Sequence, residues 1–108
     1  MKKTFWIFIA LILLAYGSVS ADETAESLFN VAYDHYLAGD YEKAISEFIS
    51  IIDSGLTSGN ILYNIGNSYL KANKLGYAIL SYERARLFIP RDSDLLSNYR
   101  YARTLIKQ

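Results

Sequence analysis

Residues 62–90 constrain the fold of this chain more than any other stretch, because they carry two consecutive helical patterns. Asn73 separates the patterns, and asparagine tolerates the left-handed backbone in which helices commonly end. Pro90 closes the second pattern, because proline lacks an amide hydrogen and restricts the residue before it. The stretch therefore predicts two antiparallel helices joined by a tight turn. The first pattern consists of Leu62, Ile65, Gly66 and Tyr69, and the second of Leu75, Ala78, Ile79, Tyr82, Ala85 and Arg86.

This stretch resembles a tetratricopeptide repeat, a helix–turn–helix unit of about 34 residues. Gly66 and Ala78 are small where the helices of such a hairpin approach most closely, since a larger side chain would separate them. The resemblance implies an all-α fold in which successive hairpins stack into a short α-solenoid. The residues that carry it are Leu62, Ile65, Gly66, Tyr69, Asn73, Ala78, Tyr82, Ala85 and Pro90.

The pattern recurs one repeat length earlier in the chain, as a true repeat requires. Gly39 occupies the turn position that Asn73 holds in the second copy, and a third, partial copy follows at Leu96. We predict two repeat hairpins and a C-terminal capping helix within one domain, residues 22–108. Repeat one spans about 25–58, repeat two about 59–92 and the capping helix about 93–107. The identical pairs are Leu28/Leu62, Asn30/Asn64, Ala38/Ala72, Ala44/Ala78 and Ile45/Ile79.

The first hairpin is predicted to contain helices at about residues 24–37 and 41–52. A fifth helix, capped by Asp92 or Ser93, would cover the open end of the second repeat. Such a cover matters because an exposed apolar flank at the end of a repeat stack favours aggregation. The expected packing stripe of the first helix, chosen by its helical spacing, is Leu28, Val31, Ala32 and His35.

A closer resemblance is to the repeat region of the Bacteroides aerotolerance E-type envelope proteins. It rests on Gly66, on residues 78–85 and on Pro90, followed by Asn98 and residues 102–103. This likeness implies a place in the bacterial envelope.

Residues 1–21 are typical of a secretory signal peptide. Lys2 and Lys3 supply the positive end, residues 5–16 form an unbroken apolar run, and small or modest residues precede the expected cleavage after Ala21. The run is short for a membrane span, which needs about 20 residues, although an uncleaved membrane anchor remains the alternative. The segment predicts a periplasmic or secreted protein. The chain has no cysteine, which excludes disulfides and thiolate chemistry.

Charge is distributed unevenly over the exported part of the chain. Residues 22–58 carry eight acidic and one basic side chain, whereas residues 59–108 carry three acidic and eight basic ones. One interpretation is that solvated helix faces happen to differ in sign. The other is a polar module that associates head-to-tail or orients a charged partner.

Residues suited to catalysis or metal binding are sparse. His35 is the only histidine, and with no cysteine the sequence lacks a set of transition-metal ligands. His35 falls at a packing position of the repeat, which favours a packed or hydrogen-bonded structural role. The sequence has neither a glycine-rich phosphate loop nor a GxSxG turn. These features favour a non-enzymatic protein without a cofactor.

The predicted binding site is a surface of tyrosines and asparagines. Stacked repeats align their first helices along the concave side, and asparagine amides can both donate to and accept from a peptide backbone. Tyrosines add contact area at low entropic cost. We predict a protein-interaction module that binds a peptide or partner helix there; the asparagines could instead bond helix to helix. The proposed partner-binding residues are Phe29, Asn30, Tyr33, Tyr63, Asn64, Asn67, Asn98 and Tyr101.

Self-assembly is the alternative function. Two repeats are few, because at least three are usually needed to bury a continuous core. A second copy of the chain could complete the stack, which would make the protein a structural module of an envelope complex. The sequence leaves both functions open.

Overall fold

A computed structural model of the chain describes residues 21–106, with side chains from Thr24 onward. Within that range the regular secondary structure is exclusively helical, without a strand, which confirms the prediction of an all-α protein. Apart from the backbone of Ala21, the predicted signal peptide lies outside the described residues. The helices are α1 (Ala21–Leu37), α2 (Tyr41–Asp53), α3 (Gly59–Lys71), α4 (Leu75–Arg86) and α5 (Ser93–Ile106).

The five helices pack in sequence-neighbouring pairs. Each helix contacts the next along the chain, and α3 also contacts α1 and α5. Helices α1, α3 and α5 therefore form one layer, and α2 and α4 form the other. None of the described helices is long and apolar enough to span a membrane.

The turns of the two hairpins are the same when the chain is shifted by one repeat length. Gly39 and Asn73 both have positive φ, at 85° and 61°. The amide of Gly39 donates to Tyr36 and that of Asn73 donates to Leu70, each at 3.1 Å. The helix stop expected at Asn73 is therefore confirmed, and it uses the left-handed conformation that asparagine tolerates.

Two apolar clusters form the core, and α3 contributes to both. The first cluster joins α1 and α2 to Ile61 and Ile65 of α3. The second joins Leu62 and α4 to α5. Leu95, Tyr99 and Ala102 are buried in the second cluster, so α5 covers the second hairpin as expected.

Two glycines allow close packing around α3. A Cβ on Gly66 would lie 2.5 Å from Cε1 of Tyr82, so the ring of Tyr82 occupies the space that any other residue would need. A Cβ on Gly59 would lie 2.8 Å from Cγ1 of Ile89. The first contact explains the small residue that the repeat pattern has at Gly66; the second was not expected from the sequence.

The expected packing stripe of α1 is partly wrong. Ala32 is fully buried, but Leu28 and Val31 are 47% and 49% exposed. No described helix precedes α1, so nothing in residues 21–106 covers the side of α1 that these residues occupy. The buried side is instead formed by Ala32 with Phe29 and Tyr36, which pack against the first cluster.

The end of α4 also differs from the prediction. The helix ends at Arg86, and Pro90 lies in the connection that follows. Phe88 and Ile89 still donate backbone hydrogen bonds to Ala85, which satisfies a carbonyl at the end of the helix. As predicted, Asp92 caps α5, because its Oδ1 accepts a hydrogen bond of 2.8 Å from the amide of Leu95.

Candidate functional site

The first part of the candidate site is a row of aromatic rings along α1. The ring of Tyr33 stacks on Phe29 at 6.2 Å between centroids and on Tyr36 at 6.0 Å. Tyr41, at the start of α2, extends the row with a further 5.8 Å contact to Tyr36. Phe29 also meets Phe48 edge-on at 5.4 Å, which anchors the row to the core. Tyr33 is 38% exposed, so this row offers an accessible aromatic face on a rigid base.

The second part is a hydrogen-bond network that joins α3, α4 and α5. The hydroxyl of Tyr82 donates to Oδ1 of Asn67 at 2.6 Å. Nδ2 of Asn98 donates to the same oxygen at 3.0 Å and to the hydroxyl oxygen of Tyr63 at 3.1 Å. Charged groups take no part, so the network depends on the orientation of two amides and two phenols.

The network leaves one acceptor and one donor available. The side-chain amide of Asn98 donates its two hydrogens to Asn67 and Tyr63. Its carbonyl oxygen accepts no hydrogen bond within the described residues. Every buried side-chain nitrogen or oxygen in that part of the chain has a partner, so this oxygen is accessible. The hydroxyl of Tyr63 accepts from Asn98 and donates to no described residue. These two hydrogen-bonded side chains therefore retain one donor and one acceptor between them.

Two tyrosines of the site, Tyr36 and Tyr82, have raised pKa values. Burial raises the pKa of Tyr82 well above its ordinary value, and nearby Tyr63 and Tyr36 raise it further. Burial also raises the pKa of Tyr36, which lies close to the phenols of Tyr41, Tyr33 and Tyr63. Tyr82 therefore keeps the proton that it donates to Asn67.

The structure brings some of the predicted site residues together and separates others. Tyr63, Asn67 and Asn98 share the network described above, and Phe29 and Tyr33 share the aromatic row. Asn67 is only 9% exposed, so it orients the network from within rather than offering a surface. Asn67 and Asn98 thus form a hydrogen bond between helices, which was the alternative role expected for the asparagines.

Asn64 lies outside the network, although its sequence position matches that of Asn98. Its Nδ2 donates to the carbonyl oxygen of Asn60 at 2.8 Å, one turn earlier in α3, and it is 6% exposed. Asn30 is exposed on α1, and Tyr101 is 56% exposed on α5. Asn30, Asn64 and Asn98 therefore have three different environments rather than forming one ladder of hydrogen bonds.

Tyr82 belongs to the site, although its place in the repeat pattern predicts packing alone. The side chain is indeed fully buried. The equivalent residue of the first repeat is Phe48, which is equally buried and has no hydroxyl. A buried hydroxyl needs a hydrogen-bond partner, so a tyrosine in place of phenylalanine was the available signal.

The single histidine has a hydrogen-bonded role in the first hairpin. Nδ1 of His35 on α1 lies 2.8 Å from Oε1 and 2.9 Å from Oε2 of Glu47 on α2. Both side chains are about one quarter exposed. The contact joins the two helices of the hairpin.

Comparison with known proteins gives no assignment, since no protein-family model and no curated protein matches the chain. The class defined by the fold is a helical, repeat-like array that is compatible with a short α-solenoid.

Proposed function

We propose that the chain is an exported tetratricopeptide-repeat protein that binds an extended peptide or a partner helix on the layer formed by α1, α3 and α5. The repeat assignment is supported by the hydrogen-bonded turn that recurs at the equivalent position of the second hairpin. It is also supported by the equivalent buried positions of Ala44 and Ala78, both 0% exposed. In stacked hairpins the first helices line the concave side, and those helices are α1, α3 and α5.

The main support for this proposal is a hydroxyl donor on Tyr63 and a carbonyl acceptor on Asn98 that form no hydrogen bond within the described residues. A peptide backbone presents a carbonyl and an amide hydrogen at each residue. The hydroxyl of Tyr63 would donate to that carbonyl, and the side-chain oxygen of Asn98 would accept from that amide. Asn67 and Tyr82 hold both groups in place before the partner arrives, which lowers the entropic cost of binding.

The aromatic row adds contact area for the partner's side chains. Tyr33 is exposed beside half-buried Phe29, and Tyr101 is exposed on α5 at the other end of the layer. Stacked rings lose little conformational freedom on binding, so they are efficient contact residues. Asn30 lies on α1 with Tyr33 and would add a further amide.

Binding without catalysis fits the chemistry of the surface. A group that transfers protons efficiently has a pKa near the working pH. Burial moves the pKa values of Tyr36 and Tyr82 upward, away from neutrality. The layer thus offers fixed hydrogen bonds and aromatic contacts, which are the requirements of recognition.

Site-specific photo-crosslinking in cells that express the full chain tests this function. A photoreactive residue placed at Tyr33 or Tyr101 should capture the same partner, because both positions lie on the proposed surface. Arg100 is the matched control, since it is exposed on α5 next to Tyr101. Adducts that are identical from all three positions, or absent from Tyr33 and Tyr101, would contradict the proposal.

Substitution then tests the named hydrogen bonds. Asn98→Ala should weaken capture from Tyr33 because it removes the acceptor and releases Tyr63, while Arg100→Ala should not. The loss of one well-placed hydrogen bond corresponds to about a fivefold to tenfold change in affinity. Unchanged capture by a folded Asn98→Ala variant would exclude the Tyr63–Asn98 pair as the site.

Export is the second part of the proposal, and it rests on the residues before Asp22. Intact-mass measurement of the protein from the envelope fraction should give the mass of residues 22–108. A full-length mass would show that the segment is retained, as expected for an anchor.

A self-assembling structural module is the second candidate. The exposure of Leu28 and Val31 favours it, because these apolar side chains lie on a side of α1 that no described residue covers. Crosslinks from a photoreactive residue at Leu28 should then yield adducts of twice the mass of the chain. Adducts with another protein, or none, would argue against assembly through this side.

A further inference from the structure

The layer opposite the candidate site contains a cleft. Helices α2 and α4 do not contact each other, and an opening of about 320 Å³ lies between them. Leu62 and Ile65 of α3 line its floor, and both are buried. The cleft shares no lining residue with the candidate site.

Each wall of the cleft carries an exposed apolar side chain and a charged one, and the charges of the two walls are opposite. On α2, Ile49 is followed one turn later by Asp53; on α4, Leu80 is followed one turn later by Arg84. Residues four apart lie on the same face of a helix, so each wall presents an apolar side chain beside a charged one. Ile49 is 36% exposed and Leu80 is 46% exposed, so these apolar groups are accessible.

The two charges are unpaired in the described part of the chain. The ion pairs found among residues 24–106 join His35 to Glu47 and Lys74 to Glu42. Asp53 and Arg84 are both exposed and belong to neither pair. Ser81 also lines the cleft, and its hydroxyl donates to the carbonyl of Tyr77. Tyr69 and Tyr77 line it as well, with their rings stacked at 5.2 Å between centroids. The cleft therefore offers apolar and aromatic contact and one charge of each sign.

We propose that this cleft binds a second copy of the chain across a two-fold axis that runs along it. Such an axis places the α2 wall of one copy against the α4 wall of the other. Asp53 then faces Arg84 of the second copy, and Ile49 faces Leu80 of the second copy, each contact occurring twice. This is the reciprocal arrangement of an isologous dimer.

The second copy is favoured over an unrelated partner because the surface is complementary to itself. Both charges find opposite charges, and both apolar residues find apolar ones, in a single arrangement. The dimer goes beyond the proposed binding function and does not depend on it. It would leave the α1, α3 and α5 layer of each copy free, so one particle would present two partner-binding surfaces.

Charge reversal provides a direct test by sedimentation velocity on protein purified from cells that express the full chain. The wild-type protein should form a dimer whose fraction rises with concentration. Asp53→Arg and Arg84→Asp should each be monomeric over the same range, because each places two like charges in contact on both sides of the axis. A reversal of this kind is expected to weaken dimerisation at least about tenfold.

Mixing the two variants tests the proposed pairing of charges most strictly. Asp53→Arg and Arg84→Asp together should form a heterodimer, because every contact across the axis then joins opposite charges. The double variant Asp53→Arg/Arg84→Asp should again form a homodimer. Arg100→Asp on α5 is the control and should dimerise as the wild type does, and circular dichroism establishes that each variant is folded.

Three results would overturn the proposal. The first is a wild-type protein that remains monomeric at all concentrations, which is also the result expected if the cleft takes an unrelated partner. The second is undiminished dimerisation of the single variants. The third is a failure of the folded single variants to form a heterodimer when mixed. None of these results bears on crosslinking from Tyr33, so the two proposals fail separately.

Discussion

The two hairpins are built alike but differ in what surrounds them. Ala44 and Phe48 of the first hairpin and Ala78 and Tyr82 of the second are all fully buried. Outside these positions the equivalence ends, because α1 and α2 precede α3 and contact it, whereas no described helix precedes α1. The residue pattern shared by the hairpins thus determines which side chains point toward a neighbouring helix, and the order of the helices determines whether such a helix is present.

Leucines at equivalent positions show this effect most clearly. Leu28 is 47% exposed on α1, and Leu62, its counterpart in the second repeat, is 6% exposed on α3. Val31 and Ile65 differ in the same way, at 49% and 4%. Residue type hardly changes between the copies, so local sequence cannot account for the difference in burial.

The largest predicted effect comes from truncating these leucines. Leu62→Ala should lower the free energy of unfolding by about 2–5 kcal/mol, because it leaves a cavity in a packed core. Leu28→Ala should lower it by less than about 1 kcal/mol, because half of that side chain is already in water. Urea unfolding of both variants measures the difference. Equal losses would show that Leu28 is covered in solution, as a dimer through α1 would require.

A smaller effect is predicted at Gly66. Gly66→Ala should destabilise the protein by about 1–3 kcal/mol, because the new methyl group would collide with the ring of Tyr82. Ala32, the equivalent residue of the first hairpin, already carries that methyl group opposite Phe48, so the close approach belongs to the second hairpin alone.

Gly76→Ala is the matched control for that collision. A Cβ at Gly76 meets nothing within 4 Å. The same change there should therefore be neutral or stabilise α4 by up to about 1 kcal/mol through helix propensity. Thermal unfolding of both variants compares them, and a loss of similar size at the two glycines would contradict the contact with Tyr82.

The hydroxyl of Tyr82 has the next effect in size. Tyr82→Phe makes the second hairpin resemble the first and should cost about 1 kcal/mol, the net contribution of one hydrogen bond. It also changes the response to alkali. The folded-state pKa of Tyr82 is raised, so its contribution to stability is complete below the unfolded pKa near 10 and is lost as the pH rises toward the folded value.

Alkaline unfolding measures that contribution. Above pH of about 10, the slope of the unfolding free energy against pH should be less negative in Tyr82→Phe by up to about 1.4 kcal/mol per pH unit. The variant Tyr77→Phe is the control, because Tyr77 is 61% exposed. Identical slopes in the wild type and Tyr82→Phe would mean that the phenol ionises freely in the folded protein.

The smallest effect concerns the ion pair between the hairpins. Nζ of Lys74 lies 3.0 Å from Oε1 of Glu42, and both side chains are largely exposed. Exposed pairs contribute little because water and salt screen them. Glu42→Gln should therefore leave the melting temperature unchanged at physiological ionic strength, and a clear decrease would indicate that this pair helps to align the hairpins.

The sequence was sufficient for the helices and turns because those depend on local spacing. The helix stop at Asn73 and the cap at Asp92 follow from what single residues do to a backbone. The end of α4 differs from the prediction, because a proline prevents a helix from continuing past it but does not make the helix extend as far as the proline. The helix ends at Arg86, before Pro90. Leu28 and Val31 were misplaced, because periodicity identifies a face and not the presence of a neighbour.

For the candidate site, too, the sequence predicted which residues belong to the surface but not how their side chains are arranged. The repeat offset grouped Asn64 with Asn98, yet Asn60 lies one turn before Asn64 and supplies its acceptor. The arrangement of Asn67, Asn98 and Tyr82 depends on how three helices meet, which the sequence pattern does not contain.

Native-state hydrogen exchange, resolved by residue, tests the central claim most directly. The claim is that position in the stack, rather than the repeat sequence, determines how firmly each helix is held. The amides of Ile65 and Gly66 in α3 should exchange only through global unfolding, while those of Val31 and Ala32 in α1 should exchange through cheaper local opening. Equal protection at these equivalent positions would contradict the account, because it would mean that α1 has a covering neighbour of its own.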